Sequence, residues 1–214
     1  MTLSRAGAFT EAPSSASAQP LPRAWFERDA LVVARALVGC NLVREVGAGA
    51  APLVARIVET EAYRGPRDLA CHARAGLTKR TRSLLGGPGR AYVFLVYGMH
   101  DCFNVTCLRE GQGHAVLLRA AEPLAGIDPS RRLDGPGRLA RALELTRALD
   151  GQDLTSPPLY FVARPAGQPR LRIAATPRVG VGYAGAWAER PWRFVDAESR
   201  CVSKPPRGAL GRSA

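Results

Sequence analysis

The stretch Arg56-Ile57-Val58-Glu59-Thr60-Glu61-Ala62-Tyr63, closed by Gly65-Pro66, constrains this chain more than any other. Ile, Val, Thr and Tyr crowd between Pro52 and that turn, which predicts a β-strand over residues 53–63. Side chains alternate along a strand, so Ile57, Glu59, Glu61 and Tyr63 are expected on one face and Val54, Arg56, Val58 and Thr60 on the other. Carboxylates beside an aromatic are a costly use of a half-buried face unless they are paired or employed. Two readings follow: a solvated face of an amphipathic strand, or a carboxylate and an aromatic lining one pocket.

Most of what surrounds this strand is also short and strand-like. Further strands are predicted near 41–46, 91–97, 102–108, 114–119, 158–163, 171–174 and 192–195. Residues 91–97 and 102–108 read as a hairpin with a four-residue tip, Gly98-Met99-His100-Asp101. Asp29 is placed to cap a helix through Val38 that Gly39 stops, and a second helix is expected from Gly137 to Leu149. Residues 66–89 read as a long surface loop with one short helical piece, and long loops in compact domains are usually functional. Hairpins with few helices, and no regular βαβ alternation, predict an α+β fold: a single domain over 23–196 with a mainly antiparallel sheet and peripheral helices. The Ala/Ser/Pro-rich residues 1–22 read as a disordered tail, and 197–214, with Pro205-Pro206, as a loose one.

The formal charge of +12 and the pI near 10.5 point to a polyanionic partner such as nucleic acid. Lys79 and Lys204 are the only lysines, so arginine carries nearly all of that charge. The five cysteines are odd in number and form no CxxC pair, which argues against a zinc ribbon, a disulfide framework or an iron–sulfur cluster. No metal and no cofactor are expected. No apolar run approaches the roughly 18 residues of a membrane span, and the N-terminus lacks a signal pattern.

The order of motifs is specific. After Glu-Thr-Glu-Ala-Tyr come Asp68 and His72, then the turn Gly86-Gly87-Pro88-Gly89 and Tyr92-Val93-Phe94-Leu95-Val96-Tyr97-Gly98-Met99. Asn104, Val116-Leu117-Leu118-Arg119-Ala120, Glu122-Pro123 and Arg178-Val179-Gly180-Val181-Gly182 follow. From about Trp25 to Phe194 this succession resembles the alkyladenine (3-methyladenine) DNA glycosylases, which remove damaged purines from DNA. The resemblance implies a curved antiparallel sheet. It also implies a monofunctional hydrolase that flips alkylated or deaminated purines out of double-stranded DNA and cuts the N-glycosidic bond, starting base excision repair. A monomer without membrane attachment is expected, cytoplasmic and associated with the nucleoid if the source is bacterial.

The resemblance also distributes roles. Glu61 becomes the general base, with Arg119 and the main-chain carbonyl of Val179 positioning the attacking water. Tyr63 and His72 would contact the extruded base, Phe94 would stack where mammalian members carry a tyrosine, and Asn104 would disfavour the exocyclic amine of guanine. Tyr97, with Met99 beside it, would wedge into the duplex. Taken alone, the same residues have plainer readings. Arg119 reads as a charge leaving a buried strand, Asn104 as a side chain bonding backbone, and Tyr97 and Met99 as core-edge packing.

Two other functions fit parts of the pattern: a nucleoside or glycoside hydrolase using Glu59 and Glu61 as an acid–base pair, and a non-catalytic DNA-binding protein. The GxGxxG at Gly180–Gly185 lacks the βαβ context of a dinucleotide site, because 29 residues remain after it and Pro191 interrupts them.

Overall fold

The computed structural model describes residues 19–205 except Ala48 and Tyr97. Its centre is β2 (Leu53–Arg64), the strand expected from the sequence. Around it stand β1 (Asn41–Arg44), β3 (Ala91–Val96), β4 (His100–Cys107), β5 (His114–Ala125), β6 (Thr155–Ser156), β7 (Leu159–Val162), β8 (Ile173–Thr176) and β9 (Arg193–Asp196). They form one antiparallel sheet in the order β3-β4-β5-β2-β1-β7-β6, curled into a half-barrel. On the β1 side, β2 outruns β1, and β9 pairs with Glu59–Glu61 there, with β8 outside it. The α+β architecture with a curved antiparallel sheet is therefore as expected.

Three short helices, α1 (Arg23–Phe26), α2 (Ala30–Leu37) and α3 (Pro136–Ala142), lie against the sheet. The Asp29 carboxylate caps α2 by accepting from the Leu31 N–H at 2.9 Å. The helix buries Ala30, Val33, Ala34 and Leu37, a spacing of i, i+3, i+4, i+7. Below it the Thr60 hydroxyl donates to the Ala34 carbonyl at 2.8 Å, which ties β2 to α2.

Plain alternation fails at one place on β2. Ile57 pairs with Ala121, Glu59 with Ala120 and Thr60 with Leu118, so Val58 is an extra residue on β2 and Arg119 an extra one on β5. Ile57 accordingly joins the main core together with Ala62, although Glu59, Glu61 and Tyr63 were expected on its face. The bulge puts Val58 into a separate cluster with Ala120, Val195 and Val202.

Other boundaries also moved. β5 runs on to Ala125, so Arg119 is a buried mid-strand residue and not a charge at a strand exit. The helix expected to reach Leu149 stops at Ala142; Glu144 turns into the left-handed region (φ 54) and Arg147–Leu149 forms a separate 3-10 turn. Leu143 and Leu145 are both fully buried, which residues two apart on one continuous helix do not achieve against one core. β4 begins at His100, so His100 and Asp101, expected in the hairpin tip, belong to the strand. The loop after β2 carries two 3-10 turns, Gly65–Arg67 and His72–Ala75, where one helical piece was expected. At the N-terminal side Leu21 is buried and its N–H donates to the Phe161 carbonyl at 2.8 Å, so the packed chain starts inside the segment read as a tail.

Candidate active site

Where β2, β4 and β5 meet the loop after β2 and the segment Val179–Tyr183, they enclose a cavity of about 490 Å³. That is the size of a site for a small planar ligand. Tyr63, His72, Phe94, Asn104, Arg119 and Val179 all line it, so six of the nine residues singled out in the sequence share one cavity.

Glu61 is fully buried beneath the side of the cavity formed by Tyr63, Arg119 and Val179. Its Oε1 accepts from the Val179 N–H at 2.7 Å, and the Arg119 Nε stands 3.4 Å from the same oxygen. Its Oε2 accepts from the Tyr63 hydroxyl at 2.8 Å. The expectation concerned the Val179 carbonyl; the contact with Glu61 is made by its N–H. Burial, then the adjacent Glu61, pushes the Tyr63 phenol well above its ordinary pKa, so the phenol keeps its proton and acts as the donor. Tyr63 thus forms cavity wall and carboxylate partner at once.

Glu59, equally buried, is differently engaged. Its Oε1 accepts from Arg119 Nε (3.0 Å), Arg193 Nη1 (2.9 Å) and the Ser203 hydroxyl (2.8 Å), and its Oε2 from the Ser203 N–H (2.6 Å). Burial pulls the Arg119 pKa down, but Glu61 and Glu59 outweigh it and the net shift is upward. Residues 199–204, expected to be loose, are held here: Val202 is buried, and the Lys204 carbonyl accepts from Arg193. Glu122 pairs with Arg56 away from the cavity.

Across the cavity three rings meet. His72 packs edge-on against Phe94 with centroids 4.6 Å apart, and Phe94 lies 5.2 Å from Tyr92. The His72 Nδ1 is 2.9 Å from the Tyr92 hydroxyl. Burial, then the Arg80 charge, lowers the His72 pKa to about 4, so its imidazole is neutral at physiological pH. The unfolded chain binds a proton near pH 6.5 that native His72 refuses, so the contribution of this residue to stability is complete above about 6.5 and declines as pH falls toward 4. Urea unfolding from pH 7 to 4 is therefore expected to show a smaller loss of stability for His72→Gln than for the parent; equal slopes would contradict the assignment.

Asn104 bonds backbone, as its plainer reading has it. It lines the cavity while its side-chain amide donates to the Tyr92 carbonyl at 3.0 Å. Met99 stands outside the cavity on the hairpin turn, 70% exposed. Tyr97 lies outside the described residues. Burial pushes the cavity thiols Cys71 and Cys102 up to about 11, which argues against either as a nucleophile. Lys79 is exposed and does not line the cavity. The glycine-rich segment forms a 3-10 turn, Gly182–Trp187, after an antiparallel strand, so the dinucleotide reading fails in the structure too.

One functional pair had gone unassigned. Arg178 and Asp68, both fully buried, form a two-pronged ion pair at 2.6 and 2.8 Å, and Arg178 also donates to the Ala62 carbonyl. Asp68 in addition accepts from the N–H groups of Arg64 and Ala70. This clamp joins the loop bearing His72 to the segment bearing Val179. Both residues stand inside the quoted motifs, but nothing in their 110-residue separation signals a pair.

Residues 24–200 match the family model described as methylpurine-DNA glycosylase, a match that ends just before Val202. Similar proteins include one from Myxococcus xanthus, 52% identical over 190 residues that cover 88% of this chain and 96% of that protein. Another, from Methanocella arvoryzae, is 48% identical over 89% of this chain and 98% of its own length. A third, from Legionella pneumophila, is 45% identical over 86% and 98%. All three carry the provisional name 3-methyladenine DNA glycosylase.

Proposed function

Because the chain belongs to the methylpurine-DNA glycosylase family, we propose that it excises damaged purines after flipping them from double-stranded DNA into the cavity behind Tyr63. As a member of that family it is a DNA glycosylase, a hydrolase of N-glycosidic bonds. The observation that carries the finer reading is the Glu61 carboxylate, buried under an aromatic-lined cavity and held by Tyr63, Val179 and Arg119.

In this reading Glu61 takes a proton from water as the water oxygen bonds C1′ of the sugar. The C1′–N bond breaks and its electron pair leaves on the purine. Arg119 and the Val179 main chain orient Glu61 and the water, Tyr63, His72 and Phe94 hold the base, and Asn104 reads its edge. Met99, exposed beside the hairpin turn, contacts the duplex. A cationic alkylated purine departs neutral without further help. A neutral deaminated purine departs best when protonated, and His72, its pKa lowered to about 4 by burial, does not carry the imidazolium proton at neutral pH. Cationic alkylated lesions are thus the preferred substrates and neutral ones, deaminated purines among them, slower. The protein works as a cytoplasmic monomer if bacterial.

The acid–base pair of a free-nucleoside hydrolase is less well supported, since both oxygens of Glu59 are taken up by Arg119, Arg193 and Ser203. A non-catalytic DNA binder would have no use for Glu61 under the cavity. Duplex oligonucleotides carrying 3-methyladenine, 7-methylguanine, hypoxanthine or ethenoadenine, cleaved with alkali after incubation, test the proposal. Base loss is expected, fastest from the cationic lesions; no abasic sites from any duplex would refute it.

A further inference from the structure

After β9 the chain passes back over Glu59. Val202, buried against Val58, Ala120 and Val195, seats this return on the bulged part of β2 and β5. Ser203 then makes two bonds to Glu59, from its N–H at 2.6 Å and from its hydroxyl at 2.8 Å. The Lys204 carbonyl accepts from both terminal nitrogens of Arg193, at 3.0 and 2.9 Å. Arg119 reaches the Ser203 hydroxyl through Nη2 at 3.4 Å.

Arg119 is divided between two carboxylates. Its Nε lies 3.0 Å from Glu59 and 3.4 Å from Glu61. A guanidinium prefers a two-pronged grip on one carboxylate, here through the Nε and Nη2 of Arg119. Ser203 stands in its way: its N–H is on Oε2 of Glu59, and its hydroxyl bonds Oε1 while accepting from Arg119 Nη2, the nitrogen that would supply the second prong. From this geometry we infer that Ser203 is a positioning residue for base excision: by engaging Arg119 Nη2 and Glu59 together it keeps Arg119 turned toward Glu61. The strap Val202–Lys204 is then part of the working site, although it touches neither the cavity nor the reacting atoms. The inference rests on the glycosylase reading for its rate effect, but not for the contact itself.

Single-turnover excision and lesion-DNA affinity, compared across variants of the full chain, test it. Ser203→Ala is expected to slow excision about tenfold, the scale of one hydrogen bond to a charged group, with affinity unchanged. Ser203→Thr keeps the hydroxyl and is expected to recover the rate. A chain ending at Cys201 should be slower than Ser203→Ala, and one ending at Pro205 as fast as the full chain. Should the Cys201-ended chain fail to fold, the two point variants decide. An Ala variant within twofold of the parent, or a Thr variant as slow as Ala, overturns the inference. If the parent excises nothing, the glycosylase reading has failed and amide exchange judges the strap separately. The Ser203 N–H is expected to exchange slowly in the parent and faster in Glu59→Gln; fast exchange in the parent overturns it.

Discussion

Glu61→Gln is expected to slow single-turnover excision about 100- to 10,000-fold, the range for loss of a positioned general base. Lesion-DNA affinity should stay within a few-fold of the parent. Glutamine keeps the shape, and its amide oxygen still accepts from the Val179 N–H while its NH₂ meets a Tyr63 hydroxyl turned to accept. The cavity walls are therefore retained and only the proton acceptor is lost. Residual excision near the parent rate would return the role to another group. Glu59 is a poor substitute, because four donors from Arg119, Arg193 and Ser203 already converge on it.

Asp68→Asn is expected to cost about 3–5 kcal/mol of stability, because it leaves the Arg178 charge buried without a counter-charge. For a chain of this length that lowers the melting temperature on the order of 10 °C. Excision should fall as well, since Arg178 immediately precedes the Val179 N–H that holds Glu61. Replacing both partners by Leu and Met should destabilise less than Asp68→Asn alone, because no orphan charge remains. Thermal unfolding of the single and double variants checks this; a single variant within about 1 kcal/mol of the parent is incompatible with the clamp described here.

The pattern of short strands and turns, read with the Glu-Thr-Glu-Ala-Tyr run, determined the family, the antiparallel architecture and the central strand. It also determined six of the cavity-lining residues. These are legible because strand period, turn residues and ordered motifs are local properties of the chain. The tertiary structure alone decided the rest. Paired bulges at Val58 and Arg119 took Glu59 and Glu61 off the core face that Ile57 shares with Leu53 and Ala55, and set Arg119 between the two carboxylates. No one-strand pattern reveals a bulge, because its register depends on the partner strand. Partnerships were equally invisible: Asp68 with Arg178, Glu59 with Arg193, and Ser203 from a segment whose prolines read as a loose tail. Each joins residues more than 100 positions apart, brought together because a buried charge must find a counter-charge or hydrogen-bond donors within reach of the folded sheet.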